Sequence, residues 1–376
     1  MLRQERTKSA YFVMSAIGIS FLLSLALLQM FFALLILLWL FEPLNRKNLK
    51  LEKIEYYFLF FLGVRLASIF FSEYFELSKH AFYKDALFYT GLFPLVYYVK
   101  QFSSEQKKNI LLIFLSASVL VSLIGIGKFA LGIKPRAESI VSGYATFSTF
   151  LLPGLALYFS FFSELKKRTN AWWITLGGMT LFLAIILALG RADLAIAVLL
   201  LLFGMLLKKM EWKYFLPMVL LAITLSYVAF QINTSEIQVR VQQPTTMSDR
   251  DILWGTAFDL AGKHPLLGFG PRTFDKVFSK RNLLSDKDVG SWHNDYITIY
   301  LESGIVGFLS LLLLLVEIVR TGFKKFYRSN DWRWGVFFSL VALILSAGLS
   351  GFLNNPILSL LFVFLLSFFV VEQATV

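Results

Sequence analysis

The sequence predicts an all-α polytopic membrane protein with about twelve transmembrane helices and one large outer loop between the ninth and tenth. Three observations predict it. Of 376 residues, 57% are hydrophobic and only 16% charged, with a mean hydropathy of +0.68, a composition suited to lipid and not to a soluble core. The apolar residues fall in successive runs, most of them near the ~20 residues that cross a hydrocarbon layer of about 30 Å as a helix. Lysine and arginine gather in alternate short connections, as they do on the cytoplasmic side of membrane proteins.

The first apolar run, 9–41, is too long for one span and short for two, about 50 Å at 1.5 Å per residue. Arg3, Arg6 and Lys8 precede it, and Arg46, Lys47, Lys50 and Lys53 follow it. Both ends therefore read as cytoplasmic, and a hairpin of two short helices turning near 20–24 is expected. With no small-residue cleavage site to close it, the run is expected to stay as a permanent anchor. Further spans are expected at 54–72, 80–99, 109–132, 142–163, 171–189, 193–207, 214–231, 294–319, 334–350 and 354–371. Inner loops would carry Lys100, Lys107 and Lys108, then Lys166, Lys167 and Arg168, then Lys208, Lys209 and Lys213, then Arg320, Lys324, Lys325, Arg328 and Arg333. Both termini then lie inside.

The chain divides accordingly into helices one to nine at 1–231, an outer loop at 232–293, and helices ten to twelve at 294–376. Within the loop, Ser248 followed by Asp251 resembles a capping box,. Leu253, Trp254, Ala257, Phe258 and Ala261 give a helical apolar stripe, so a short helix on the membrane face is expected. His264-Pro265 would end it, and Gly268 and Gly270 would turn the chain,.

Several chemistries are disfavoured. No cysteine is present, which removes disulfides, thiolate metal sites and a cysteine nucleophile. The net charge of +12 is accounted for by loop topology, so no nucleic-acid partner is expected. Asp249 and Asp251 would point about 200° apart on a helix, and Asp286 and Asp288 read as a solvated charge run, so no metal or other cofactor is expected. Gly268-Phe269-Gly270 runs into a proline with no strand before it, which is no nucleotide loop.

Charged residues within or at the ends of apolar runs are the candidates for function. Arg65 would lie about 10 Å below the outer end of the third span, with Lys84 and Asp85 at similar depth in the fourth,. Groups at such depth usually face a bundle interior or a wet cavity. An Arg65–Asp85 pair that merely locks two helices is the structural alternative. Lys128 is expected to snorkel. Arg191 sits in the tight turn Gly190-Arg191-Ala192-Asp193, where its planar fork of donors suits a phosphate group,; an interfacial arginine pairing with lipid phosphate or Asp193 is the alternative. His293 leads into the tenth span, where a helix N-terminus disfavours its charged form and would leave it a base. A hydrogen-bonded interfacial histidine without chemistry fits the same position.

Three motifs in order resemble the O-antigen ligase and polymerase superfamily: Gly190-Arg191-Ala192-Asp193-Leu194; Arg250-x-x-x-Trp254 leading into His264-Pro265-Leu266-Leu267-Gly268-Phe269-Gly270; and His293-Asn294 leading into Glu302-x-Gly304-Ile305-Val306-Gly307. By motif the resemblance covers 185–320, and the twelve-span plan extends it to the whole chain. It implies a helical membrane glycosyltransferase of the bacterial inner membrane, with the large loop and the site facing the periplasm. A ligase of this kind moves a glycan from undecaprenyl pyrophosphate to a sugar hydroxyl of lipid A-core, without metal. Arg191, Arg250 and His293 match the superfamily's arginine after span seven, loop arginine and histidine before span ten, and Arg136, ahead of Gly143, resembles an arginine before span six. The turn departs from the usual Ser-Arg-Gly, keeping the arginine and losing a hydroxyl.

On this reading Arg191 and Arg250 stabilise the pyrophosphate leaving group, with Arg136, Arg65, Lys84 and Arg272 as further members. His293 takes the proton from the acceptor hydroxyl, giving inversion, supported by Asn294, Trp254 and Asp85. Within the superfamily, a polymerase that takes a second lipid-linked glycan as acceptor is the runner-up. A polytopic transporter of lipid-linked glycans is a reading from another class; the loop's position off the midpoint and the absence of a repeat between halves speak against it.

Overall fold

A computed structural model describes residues 2–42, 51–232, 249–284 and 289–375, and every regular element among them is helical. The expected basic residues Arg46, Lys47 and Lys50, the residue Ser248 of the expected capping box, and Asp286 and Asp288 lie outside the described residues.

Leu2–Leu23 (α1) and Leu25–Leu40 (α2) meet at Ser24, whose hydroxyl accepts from the Ala26 amide. The break falls within the expected turn, and α1 packs on α2. Lys53–Phe70 (α3) follows, and then Phe75–Lys84 (α4) and Ala86–Val99 (α5). This pair corrects the span expected at 80–99: the chain breaks at Asp85. α4 is a short helix carrying the polar residues Glu76, Ser78, Lys79, His80 and Lys84, and the last of these, Lys84, is exposed. Lys84 is therefore not a buried charge.

Ser104–Ala130 (α6), Tyr144–Leu165 (α7), Ala171–Leu187 (α8), Arg191–Leu206 (α9) and Trp212–Ile232 (α10) complete the first part. The outer segment carries Arg250–Ala261 (α11) and the single turn Phe274–Val277 (α12). Asp295–Lys325 (α13), Trp332–Ala347 (α14) and Pro356–Thr375 (α15) close the chain. Among the described residues four helices are long and apolar enough to cross a membrane: Ser104–Ala130, Tyr144–Leu165, Trp212–Gln231 and Asp295–Lys325. Leu25–Leu40, Ala171–Leu187, Trp332–Ala347 and Pro356–Glu372 are shorter apolar helices.

The centre of the bundle is α7, which is buried almost all round because apolar residues occupy every face,. α14 lies along it. A Cβ on Gly335 would come within 2.3 Å of the Ser160 hydroxyl, so a glycine permits this close approach, as small residues do between helices in lipid. α13 packs on α3, α15 on α5, and α10 on α8. Four helices, α7, α9, α13 and α15, begin at the end of the bundle where the outer segment sits.

α11 begins one residue later than the capping box requires. Its N-cap is Asp249 in a left-handed conformation, φ 62°, with no side-chain cap. The apolar stripe is also rotated. Leu253, Thr256, Ala257 and Leu260 are buried, and Phe258 is 75% exposed. The reason is the second small core beneath it, where Phe269, Phe274, Phe278, Trp292 and Leu301 receive that face.

Candidate functional site

Two of the motifs prove to be partners in one backbone structure. α13 is broken at Gly304, whose φ of 64° and ψ of −166° are non-helical and open essentially to glycine alone. The break frees carbonyls, and the segment 264–270 uses them. The Phe269 and Gly270 amides donate to the Leu301 and Glu302 carbonyls at 2.8 and 2.9 Å, and the Ile305 amide donates back to the Pro265 carbonyl at 2.8 Å. Contact is so close that a Cβ on Gly304 would fall 2.1 Å from the Leu266 carbonyl oxygen, and one on Gly268 would fall 2.4 Å from the Glu302 carbonyl carbon. A broken helix at membrane depth keeps its backbone satisfied only by such protein partners.

Glu302 holds the break together from inside. Its Oε2 accepts from Arg65 Nη2 at 2.7 Å and its Oε1 from the Arg272 amide at 2.8 Å. Arg65 is 1% exposed and also donates to the Ser303 hydroxyl at 2.9 Å and the Tyr89 hydroxyl at 3.2 Å. The Arg65–Asp85 pair weighed from the sequence does not form. Asp85 instead accepts both Nε and Nη2 of Arg272, at 3.2 and 2.6 Å, because the break after α4 turns it toward the outer segment. Burial acts against the charge of Arg272, but the hydrogen bond and charge of Asp85, with Glu302 nearby, outweigh it and hold the guanidinium above its ordinary range.

Beside this lock lies a cavity of about 420 Å³. His293, Asn294, Asp295, Thr298 and Glu302 line it from α13 and the residue preceding its cap, Arg272 and Asp275 from the outer segment, Thr146 and Thr149 from α7, and Asn354 and Asn355 from the last loop. Asn294 is the cap of α13. Its Oδ1 accepts from the Tyr296 and Ile297 amides and its Nδ2 donates to the Gly348 carbonyl at 3.0 Å. That fixes the chain next to His293, which takes a φ of 50°. Trp254 adds a second hold, donating from Nε1 to the Trp292 carbonyl at 3.0 Å. Trp292 itself is 1% exposed and packed edge-on against Phe274 and Phe278.

Two arginines lie near the α7 side of the cavity. The Arg136 guanidinium stacks over the Tyr144 ring at 4.2 Å, one residue before cavity-lining Ala145. Arg250 is near enough to feel the charge of Asp193 and of Tyr144; burial lowers its guanidinium from its ordinary value, and those two groups oppose the fall. Asp193 accepts from the Ser148 and Thr149 hydroxyls, and so seats the first turn of α9, which opens with Arg191. α7 and α9 begin at Gly143 and Gly190, and neither start is capped by a side chain. Uncapped helix starts present amide donors and the positive dipole end to an anion.

Of the residues singled out from the sequence, His293, Asn294 and Arg272 therefore line the cavity. None of Arg136, Arg191 and Arg250 lines it: Arg136 stacks on Tyr144 at the start of α7, Arg250 lies within electrostatic reach of Tyr144 and Asp193, and Arg191 opens α9 two residues before Asp193. Arg65 and Asp85 act behind it as partners of Glu302 and Arg272, Trp254 braces its histidine segment, and Lys84 lies apart. Glu302 stood in the quoted motifs without a role, Asp193 only as an alternative partner for Arg191, and Asp295 followed Asn294 without one. The loop 350–355 carried no signal beyond its glycine and two asparagines. Among the described residues no group of three or more His, Asp or Glu side chains converges as a metal site would.

Residues 176–312 match the family model described as O-antigen ligase, in agreement with the motif resemblance. The matched stretch holds Arg191, Arg250, Trp254, Arg272, His293 and Glu302, and it leaves out Arg65, Asp85 and Arg136. No curated protein matches the chain.

Proposed function

Starting from an O-antigen ligase domain at 176–312, we propose that the protein transfers a glycan from undecaprenyl pyrophosphate to a sugar hydroxyl of lipid A-core. In this reading the chain crosses the bacterial inner membrane twelve times, with both termini in the cytoplasm and the cavity facing the periplasm. What supports it is a cavity lined by His293 and by the start of α7, beside which Arg136 stacks on Tyr144 and Arg250 lies within electrostatic reach of Tyr144 and of Asp193 in the turn that Arg191 opens.

The chemistry follows from that arrangement. The acceptor oxygen forms a bond to the anomeric carbon as the bond from that carbon to the pyrophosphate oxygen breaks on the opposite face, which inverts the centre. The acceptor's proton goes to the His293 imidazole. The electron pair leaves on pyrophosphate, where Arg136, Arg191 and Arg250, with the amides opening α7 and α9, meet the growing charge; fixed donors in a water-poor site are worth far more than in solution. Arg65 and Arg272 are held by carboxylates and serve as the frame, and Lys84 has no part in it.

Deleting the gene in its host and resolving the glycolipids by gel and mass tests the reading. Full-length polymer retained on polyprenyl pyrophosphate beside bare lipid A-core is expected. Restoring the gene as His293→Ala should leave that defect in place with normal protein in the membrane. Core capped by a single repeat unit would instead identify a polymerase, and unchanged polymer would overturn both.

A further inference from the structure

The part of the cavity wall formed by the start of α13 and the last loop is built differently. Asp295 is 3% exposed, and its Oδ2 accepts from the Phe352 and Leu353 amides at 2.6 and 3.0 Å. Its other oxygen, Oδ1, takes no hydrogen bond among the described residues. That oxygen is the polar atom left for the cavity, which Asp295 lines. Gly351, at φ 81°, leaves room beside it, since a Cβ there would fall 2.9 Å from Oδ1. The next residue after Leu353 is Asn354, which also lines the cavity and whose side-chain amide makes no hydrogen bond among the described residues. Its carbonyl accepts from Arg272 Nη2 at 3.2 Å. Arg272 therefore stands against the same loop, with Nε and Nη2 committed to Asp85 and Asn354 and with Nη1 uncommitted among the described residues.

Three hydrogen-bonding groups thus stand together with capacity unused: a carboxylate oxygen, a primary amide and one guanidinium N–H. Arg65 and Arg272 are set there against the carboxyl groups of Asp85, Glu302 and Asp295. A pyrophosphate would find both cations near this wall already paired with carboxylates, Arg65 with Glu302 and Arg272 with Asp85. A neutral ring with neighbouring hydroxyls suits the unused groups, because each hydroxyl both donates and accepts. One would donate to Asp295 Oδ1 and accept from Arg272 Nη1, and its neighbour would exchange bonds with the Asn354 amide. The helix starts agree with this division, since α13 and α15 are capped by Asn294 and Asn355 and α7 and α9 are not.

We infer that Asp295, Asn354 and Arg272 form a subsite for a sugar ring bearing neighbouring hydroxyls, and that this ring belongs to the acceptor. The inference rests on the transferase reading and extends it by giving the two substrates different parts of the cavity lining, with His293 on the segment that leads into the acceptor's part. Asp295 and Asn354 are then specificity residues, and Arg272 shares a hydroxyl with Asp295.

The test separates binding from transfer. Deacylated core oligosaccharide, free of lipid and of donor, is titrated onto purified protein in detergent and followed by saturation-transfer NMR. Asn354→Ala removes a side chain with no structural bond, and its affinity should fall on the order of tenfold, as for a lost neutral hydrogen bond. Asp295→Asn keeps the shape and an oxygen for the two backbone amides but puts an NH2 donor where Oδ1 stood, and its affinity should fall on the order of tenfold. In transfer assays the same variants should raise KM for the acceptor with KM for the donor unchanged. Equal binding by wild type and both variants, or no binding by wild type, overturns the subsite. A rise in KM for the donor alone overturns its assignment to the acceptor. Oligosaccharide bound by wild type and lost in both variants, with no transfer by wild type, would support the subsite and overturn the transferase reading.

Discussion

Arg65 and Arg250 show how differently two arginines of one membrane protein are used. Arg65 is 1% exposed and surrounded by Glu302, Ser303 and Tyr89 at 2.7, 2.9 and 3.2 Å. Arg250 is half-buried and makes no hydrogen bond or close ion pair among the described residues; Asp193 acts on it only from a distance. Partnering as well as burial separates the two. A guanidinium whose donors are all spent inside the protein can only hold the fold, whereas one left with spare donors beside a cavity can still take a ligand's charge. Arg272 stands between the two, with Nε and Nη2 committed to Asp85 and Asn354 and Nη1 uncommitted among the described residues.

Removing a partner should break the contrast most strongly. Glu302→Ala leaves the Arg65 charge buried and the Arg272 amide without its acceptor, and should cost about 3–5 kcal/mol, read as a lower unfolding midpoint in detergent. Replacing both members, Arg65→Met with Glu302→Leu, should recover much of that loss; a double variant no better than the single would show that the pair is not the cause. Arg250→Ala should do the reverse. Its unfolding midpoint should stay within about 0.5 kcal/mol of wild type, while turnover falls on the order of 10²–10³-fold. A large stability loss with turnover preserved would place Arg250 with Arg65.

Gly304→Ala tests the frame between them. The forced conformation alone costs about 1–3 kcal/mol, and the overlap with the Leu266 carbonyl adds to it. Limited proteolysis should then cut within 264–270, where wild type resists. The smallest effect is expected from Trp254→Phe, which loses the bond to the Trp292 carbonyl at about 1 kcal/mol. Turnover should drop severalfold through His293, and an unchanged rate would show that the histidine segment needs no brace from α11.

Local features of this fold were legible in the sequence. The break at Ser24, the helix following Asp249 and the arginine at the start of α9 all follow from apolar runs and punctuation by serine, glycine and charge. What stayed hidden was long-range. The Ser303-Gly304-Ile305 stretch reads as part of one apolar span, and only the amides of Phe269 and Gly270 bonding across it explain why the helix breaks there. Arg65 and Asp85 looked like partners because both were expected at similar depth in adjacent spans. The break after Lys84 and the arrival of Glu302 and Arg272 from far along the chain reassigned both. Residues of the site whose types are chemically pointed, His293 and the arginines, could be named from spacing and resemblance. Asp295, Asn354 and Gly351 could not, since nothing local says that the last loop returns to the first turn of α13.

The Arg65–Glu302 bond also sets a timetable. Its two residues are 237 positions apart, and at synthesis rates of about 5–20 residues per second the carboxylate is made about 10–50 s after the guanidinium. For that interval α3 carries an uncompensated cation, so its final seat cannot be taken until the ribosome has delivered α13. Biogenesis of the cavity is thus a late event, completed when an early helix meets a partner from the last third of the chain.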